Sequence, residues 1–309
     1  MIDFLRLRVY NKPIEHFLTN QLLEFSSIVN RSSGEVNDFP MISKLGSFKI
    51  IIKGNSFVEI SGSLHKHFTD GYNWNDFTFT DVSLAVNKLC ETLNLAPIEC
   101  VISNIEFGVN VELPFNPDEM LNNLICYKYK PFVAMKSKTQ SLGYECYFKQ
   151  YGIKIYNKKK QYLLANNIMR LEVKVFKMQK LPYIKTLEDL LILNKANMLK
   201  LELVNVVKDL LIADKKLDME LLKQQERELY LKGVNPEFWQ GLHKICRKKY
   251  GYEINKFKKL IKFLDSINYQ NVLWQLLENT TNKLLIYCNP KELTYLPTIL
   301  AVKTSNLTC

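Results

Sequence analysis

The sequence predicts an α+β fold: an antiparallel-sheet domain flanked by helices, followed by a mostly helical region. Three observations point there. Up to about residue 180, short alternating strand-like segments are separated by turn residues and mixed with helical periodicity. Beyond that point the helical period dominates. The chain is 309 residues long with 47% hydrophobic and 24% charged residues, which is an ordinary globular composition able to build real cores. The expected organisation is a domain over residues 1–182, closed by Leu181-Pro182, and a helical region over 183–309.

Residues 2–10, 47–53 and 56–61 alternate as strands, the last two joined at the hairpin pair Gly54-Asn55. Thr80 or Asp81 can cap a helix running to about Leu95, with Val82, Ala85, Val86, Leu89 and Leu93 on its apolar face. A long strand over 100–113 turns Val101, Ile105, Phe107, Val109 and Val111 toward the core. Ile102, Asn104, Glu106, Asn110 and Glu112 fall on its other, mostly polar face. Asn116-Pro117-Asp118-Glu119 is a helix start, with proline in the first turn. Residues 143–149 and 152–158 form a hairpin reversed at Gln150-Tyr151-Gly152. In the strand over 168–176, Met169, Leu171, Val173 and Val175 point inward while Arg170, Glu172 and Lys174 share the opposite face. Later helices begin near Thr186, where Asp189 completes a capping-box spacing, and near Asp218, ending at Gly233. Further helical segments are expected at 236–249, 254–265 and 269–280.

Charge narrows the partners. Against 31 Asp+Glu stand 42 Lys+Arg, a net +11, which suits a polyanion whose phosphates release counterions on binding. An anionic membrane surface or a merely solvated basic surface also satisfies that balance. The seven cysteines lack a CxxC pair and read as scattered thiols of a reducing cytosol. The opening MIDFLRLRVY alternates like a strand and has no signal-peptide core, and no window approaches a membrane span. A soluble, cytoplasmic protein is expected.

Four features carry chemistry. In YGIKIYNKKKQY, Tyr156 lies among Lys154, Lys158, Lys159 and Lys160. A strand tyrosine is ordinarily structural, but ammonium groups near a phenol favour the phenolate and hold the phosphate it attacks. Strand parity puts Lys154, Tyr156 and Lys158 on one face; a helix there would instead pair Tyr156 with Lys159. Arg170 and Glu172 project together from the next strand, as a phosphate clamp with a metal ligand or as a plain ion pair. Glu59 shares strand parity with Ser61, and His65 and His67 form an HxH, alone a weak metal signal. Ser63, Lys66, Gly71 and Asn73 make a polar turn able to hold phosphate. Glu106 stands on the polar face of the long strand, and with Glu59 and Glu172 it could converge on a hard cation such as Mg²⁺.

In this order the segments MIDFLRLRV, VEI-x-x-S-x-x-K leading to GxN, ISNIEFGVNV, IYNKKK and MRLEVKV resemble the gene II/gene X replication proteins of filamentous phages and their plasmid relatives. The resemblance spans about residues 1–180 and implies an HUH-related nicking-closing endonuclease that initiates rolling-circle replication. It places the nucleophile on Tyr156, strand acids on Glu59, Glu106 and Glu172, and matching basic residues on Arg170 and Lys66. Where the phage proteins have Gly-His-Asn, this chain has Gly71-Tyr72-Asn73, so His65 or His67 would have to serve as the metal-binding histidine. The implied reaction uses Mg²⁺ or Mn²⁺, gives a 5′-phosphotyrosine and a 3′-hydroxyl primer, and rejoins the strand later. Lys154, Lys158, Lys159 or Arg170 would neutralise phosphate charge.

Two basic runs extend the expectation to origin DNA, with host polymerase and helicase as further partners. Residues 149–180 hold nine Lys or Arg against Glu172, and residues 244–262 hold eight against Glu253, including Lys248 and Lys249. Tyr250, Tyr252 and Phe257 are interleaved in the second. The rival readings are a non-catalytic DNA-binding regulator, an RNA-binding sheet, and a relaxase or transposase of similar chemistry.

Overall fold

The computed structural model describes residues 1–54, 56–135, 141–214, 220, 222–264 and 268–286. Its first elements are β1 (Ile2–Val9), α1 (Glu15–Leu18), β2 (Met41–Leu45), β3 (Phe48–Ile52), β4 (Val58–Ser63), α2 (Leu64–Phe68) and α3 (Phe79–Leu93). Then come β5 (Cys100–Glu112), α4 (Pro117–Asn122), β6 (Leu124–Tyr127), β7 (Lys130–Pro131), β8 (Val133–Ala134) and β9 (Gly143–Tyr147). These are followed by β10 (Tyr151–Asn157), α5 (Lys158–Tyr162), β11 (Ile168–Val175), α6 (Leu193–Asp209) and β12 (Leu210–Ile212). The described chain ends with α7 (Gln224–Gly233), α8 (Pro236–Ile245), α9 (Arg247–Leu264) and α10 (Tyr269–Leu284). The fold is α+β, with antiparallel strand pairs and helices segregated from them.

The chain forms two compact units, neither of them contiguous: Met1–Ile105 with Leu181–Asn197 and Asn282–Cys309, and Glu106–Lys180 with Met198–Thr281.

In the first unit the strands run in the order β2-β3-β4-β1, with β2–β3, β3–β4 and β4–β1 all antiparallel. Alternation buries Leu5, Leu7, Ile50, Ile52 and Ile60. Val82, Ala85, Val86, Leu89 and Leu93 of α3 are buried too, as their spacing predicts. The helix starts earlier than expected. Its N-cap is Thr78, whose side chain accepts from the Asp81 N–H while the Asp81 carboxylate accepts from the Thr78 N–H at 2.8 Å. Asp81 is therefore the third residue of a capping box rather than the cap.

In the second unit the order is β11-β10-β9-β8, again with antiparallel neighbours. A small sheet, β12-β6-β7, stands beside helices whose core is Trp239, Phe257, Leu229, Tyr230, Ile254 and Leu260. The buried indole N–H of Trp239 is satisfied by the Gly233 carbonyl at 2.7 Å. The β9–β10 turn falls at residues 148–150, earlier than expected, and is closed by Phe148 N–H to the Tyr151 carbonyl at 2.7 Å. The start of α7 expected near Asp218 lies outside the described residues, as does Asn55 of the expected hairpin. Two helices, α8 and α9, occupy the span where two were expected over 236–249 and 254–265, but the break between them does not fall at 250–253. The chain breaks instead at the extended Cys246 (φ −153°, ψ 103°).

In β5 the burial phase shifts. Val101 is half-buried and Ile102 buried, opposite to the expectation, whereas Ile105, Phe107, Val109 and Val111 are buried as expected. Among the described residues no helix is long and apolar enough to cross a membrane.

Candidate active site

In the second unit, Lys154 pairs opposite Glu172 and Tyr156 opposite Arg170 across the β10–β11 ladder. The period of two sends these four side chains to one face and Ile153, Ile155, Leu171 and Val173 to the other. The expectation that Arg170 and Glu172 share a face is met. That face is not solvated, however: Tyr156 is 6% exposed, Arg170 3% and Glu172 3%.

Charges buried this deeply persist only if they are paired and hydrogen-bonded, and these are. The Tyr156 hydroxyl donates to Glu172 Oε1 at 3.0 Å, and Arg170 Nε donates to the same oxygen. Arg170 Nη1 reaches Asn110 Oδ1 at 2.9 Å. Lys154 Nζ lies 3.1 Å from Glu106 Oε2 and 3.9 Å from Glu172 Oε2, and Lys174 pairs with Glu106 Oε1. Burial works against the charge on Lys154, but Glu172 and Glu106 outweigh it and hold its pKa above the ordinary lysine value.

Lys158, expected to face DNA, is fully buried. Its ammonium lies 5.2 Å from the Tyr156 ring centre and 4.8 Å from that of Tyr162, and it donates to Gln161 Oε1 at 3.0 Å. The strand ends at Asn157, whose side chain accepts from the Lys160 N–H and starts α5. Lys159 is thereby turned to Asn167 Oδ1, 3.0 Å away.

A cavity of about 320 Å³ in the same unit, not foreseen from the sequence, is lined by Tyr127, Lys128, Tyr151, Lys180, Glu202 and Asp209. There the Tyr151 hydroxyl accepts from Lys128 Nζ at 3.2 Å. Tyr151 and Lys180 belong to segments the sequence singles out. Lys128 does not, because its approach depends on the pairing of distant strands.

The first unit holds Glu59, Lys66, His67 and Asn73. Glu59 is buried and paired with Lys53 Nζ at 3.1 Å and Arg6 Nε at 4.0 Å. Asn73, also buried, donates to Asp3 Oδ2 at 2.8 Å, and Ser63 donates to Asp3 Oδ1 at 2.6 Å. The Lys66 backbone N–H caps onto Ser63 Oγ at 3.1 Å, so the polar turn is built around Asp3. The histidines lie on helix α2 and not on a strand. Two residues along a helix is about 200°, so their rings diverge. His65 stacks on Phe77 and its Nε2 meets Asn75 Oδ1 at 3.0 Å. His67 has its pKa lowered by burial and by Lys88, and among the described residues its buried Nδ1 has no hydrogen-bond partner.

The expected cation ligands Glu59, Glu106, Glu172 and His67 thus fall in two units, and each of the three carboxylates already has a cationic side chain on it. Among the described residues no cluster of three or more His, Cys, Asp or Glu is placed to hold a metal ion. Within the second unit, the space between Glu106 and Glu172 is taken by the Lys154 ammonium and as arranged does not fit a divalent cation.

No protein-family model matches the chain, and no curated protein matches it. Among solved structures, the rolling circle replication initiator protein from Geobacillus stearothermophilus aligns with 76% of this chain and 96% of its own, at 10% identity and a TM-score of 0.40.

Proposed function

We propose that the protein is a DNA nicking-closing enzyme that initiates rolling-circle replication through a tyrosine nucleophile, Tyr156. The observation that carries this reading is the bond from the Tyr156 phenol to a carboxylate, Glu172, which Arg170 holds in place. A phenol donating to a fixed carboxylate can pass on its proton as it attacks. In the proposed reaction Glu172 takes that proton and the phenol oxygen bonds to phosphorus. The bond from phosphorus to the 3′ oxygen breaks, and that oxygen takes a proton from solvent water and leaves as the 3′-hydroxyl. The product is a 5′-phosphotyrosine, and the reverse attack rejoins the strand without ATP. Lys154 and Arg170 supply positive charge beside the reacting phosphate. Access requires the Lys158 side chain to leave the face of the ring. The freed 3′-hydroxyl suits a host polymerase, with a helicase separating the strands ahead of it.

A second reading, a non-catalytic DNA-binding regulator, is favoured by the burial of Tyr156 and the complete pairing around it. Oligonucleotides from the protein's own replicon, incubated with Mg²⁺, Mn²⁺ or EDTA and run on denaturing gels, separate the two. A covalent adduct lost in Tyr156→Phe is the expected result. An adduct kept in Tyr156→Phe and lost in Tyr151→Phe moves the nucleophile to the cavity. No adduct under any of these conditions leaves the regulator.

A further inference from the structure

We infer that the outer face of α9 is a docking surface for duplex DNA, with the helix lying in the major groove. This deepens the proposed reading by naming the element that would hold the origin duplex, but its evidence lies in the helix itself.

Helix α9 follows α8 after the single extended residue Cys246. Its inner face, Ile254, Phe257, Leu260 and Ile261, is consumed by the core around Trp239. The helical period then sends Lys248, Tyr252, Asn255, Lys259 and Phe263 to the opposite side, as a stripe about 22 Å long at 1.5 Å per residue. All five are exposed, Tyr252 at 69% and Phe263 at 87%, and exposed Lys256 and Lys262 flank the stripe. The one acid of the helix, Glu253, instead lines a groove with Glu228 and Lys232 of α7. Among the described residues, none of Lys248, Lys256, Lys259 or Lys262 is held in an ion pair. A helix of this width enters the major groove, where lysines can reach phosphates on both walls and Asn255 and Tyr252 can meet base edges. A membrane fits less well, because an interfacial helix needs an apolar outward face and here that face is spent inside.

The test uses the full chain and a fluorescein-labelled duplex of arbitrary sequence, with anisotropy read across a KCl series. Lys248→Gln/Lys259→Gln should weaken binding at least tenfold. It should also reduce the slope of log K against log salt by about 2, roughly 0.9 for each phosphate that a lysine no longer neutralises. A control carrying the same charge change on exposed strand positions, Lys44→Gln/Lys49→Gln, should bind nearly as the parent does. Both variants alter exposed side chains, so thermal melts should coincide with the parent's. Equal weakening in the control, or unchanged duplex affinity in the α9 variant, overturns the inference. So does loss of binding to phosphatidylserine vesicles with duplex binding retained. Tyr156→Phe should bind the duplex normally, so a failure of the nicking reading leaves this result standing on its own.

Discussion

Lys154 stands between Glu106 and Glu172, where a bridging cation would otherwise go. Lys154→Met keeps the stem and removes the charge, leaving two carboxylate oxygens facing one space. Calorimetric titration with Mn²⁺ should therefore show a site in the variant and none in the parent. Parent protein binding Mn²⁺ equally well would mean that the ammonium moves aside readily. Arg170 argues the opposite case. Replacing it with alanine leaves Glu172 buried without its closest cation, and breaking a buried pair in this way costs about 3–5 kcal/mol, readable in urea unfolding. Much of this face was legible in the sequence, because a strand's period of two places Lys154 with Tyr156 and Arg170 with Glu172. The partners were not. Glu106 lies 48 residues from Lys154, and nothing local announces their pairing. The burial was not legible either, since charged residues alternating along a strand read as a solvated face. The histidines misled for a related reason: HxH aligns two rings only on a strand, and Ser63 caps a helix at that point.

At the scale of elements, glycines separate what local pattern can tell from what it cannot. Gly251 falls in the gap left between the helical segments expected at 236–249 and 254–265, yet it lies inside α9, and a Cβ there would meet nothing within 4 Å. Gly251→Ala should accordingly stabilise the protein by up to about 1 kcal/mol, seen as a higher melting temperature. An unchanged or lower value would show that the helix needs its freedom there. Gly108 is the reverse case. In β5 it looks like an ordinary weak spot of a strand, but a Cβ would sit 2.3 Å from the Leu171 carbonyl oxygen and 2.9 Å from Cγ of Glu172. Its absent side chain lets β5 approach the strand that carries Arg170 and Glu172. Gly108→Ala should lower stability by several times the gain expected at Gly251, and it should disturb the Tyr156–Glu172 bond along with it. The α3 start shows a smaller version of the same limit. A cap at Thr80 or Asp81 was expected from residue type alone, whereas Thr78 is the N-cap and Asp81 the third helical residue that closes its box.

For the whole molecule, the sequence showed a mixed region giving way to helices, since periodicity is a local property. The two units were not legible, because each is assembled from segments far apart in the chain and only long-range contacts define them. Ionisable groups tie each unit to pH in its own direction. In the second unit, Lys154 has its pKa raised, so its contribution is complete below the ordinary value of 10.5 and is lost as pH climbs through the higher folded value. In the first unit, the Asp189 carboxylate accepts from the backbone N–H groups of Lys185 and Thr186 and pairs with Lys195. Burial disfavours its carboxylate, but Lys195 and the backbone N–H groups of Thr186 and Lys185 prevail and hold its pKa below the ordinary 3.8. Its contribution is therefore present above 3.8 and disappears as pH falls through the lower folded value. Asp189→Asn should cost about 1–2 kcal/mol in urea unfolding at neutral pH, the scale of a lost helix cap. At a pH below the folded value the parent's carboxylate is itself neutral, so the two unfolding curves should converge. A deficit that stayed constant from neutral to acid would assign the loss to packing rather than to the charge.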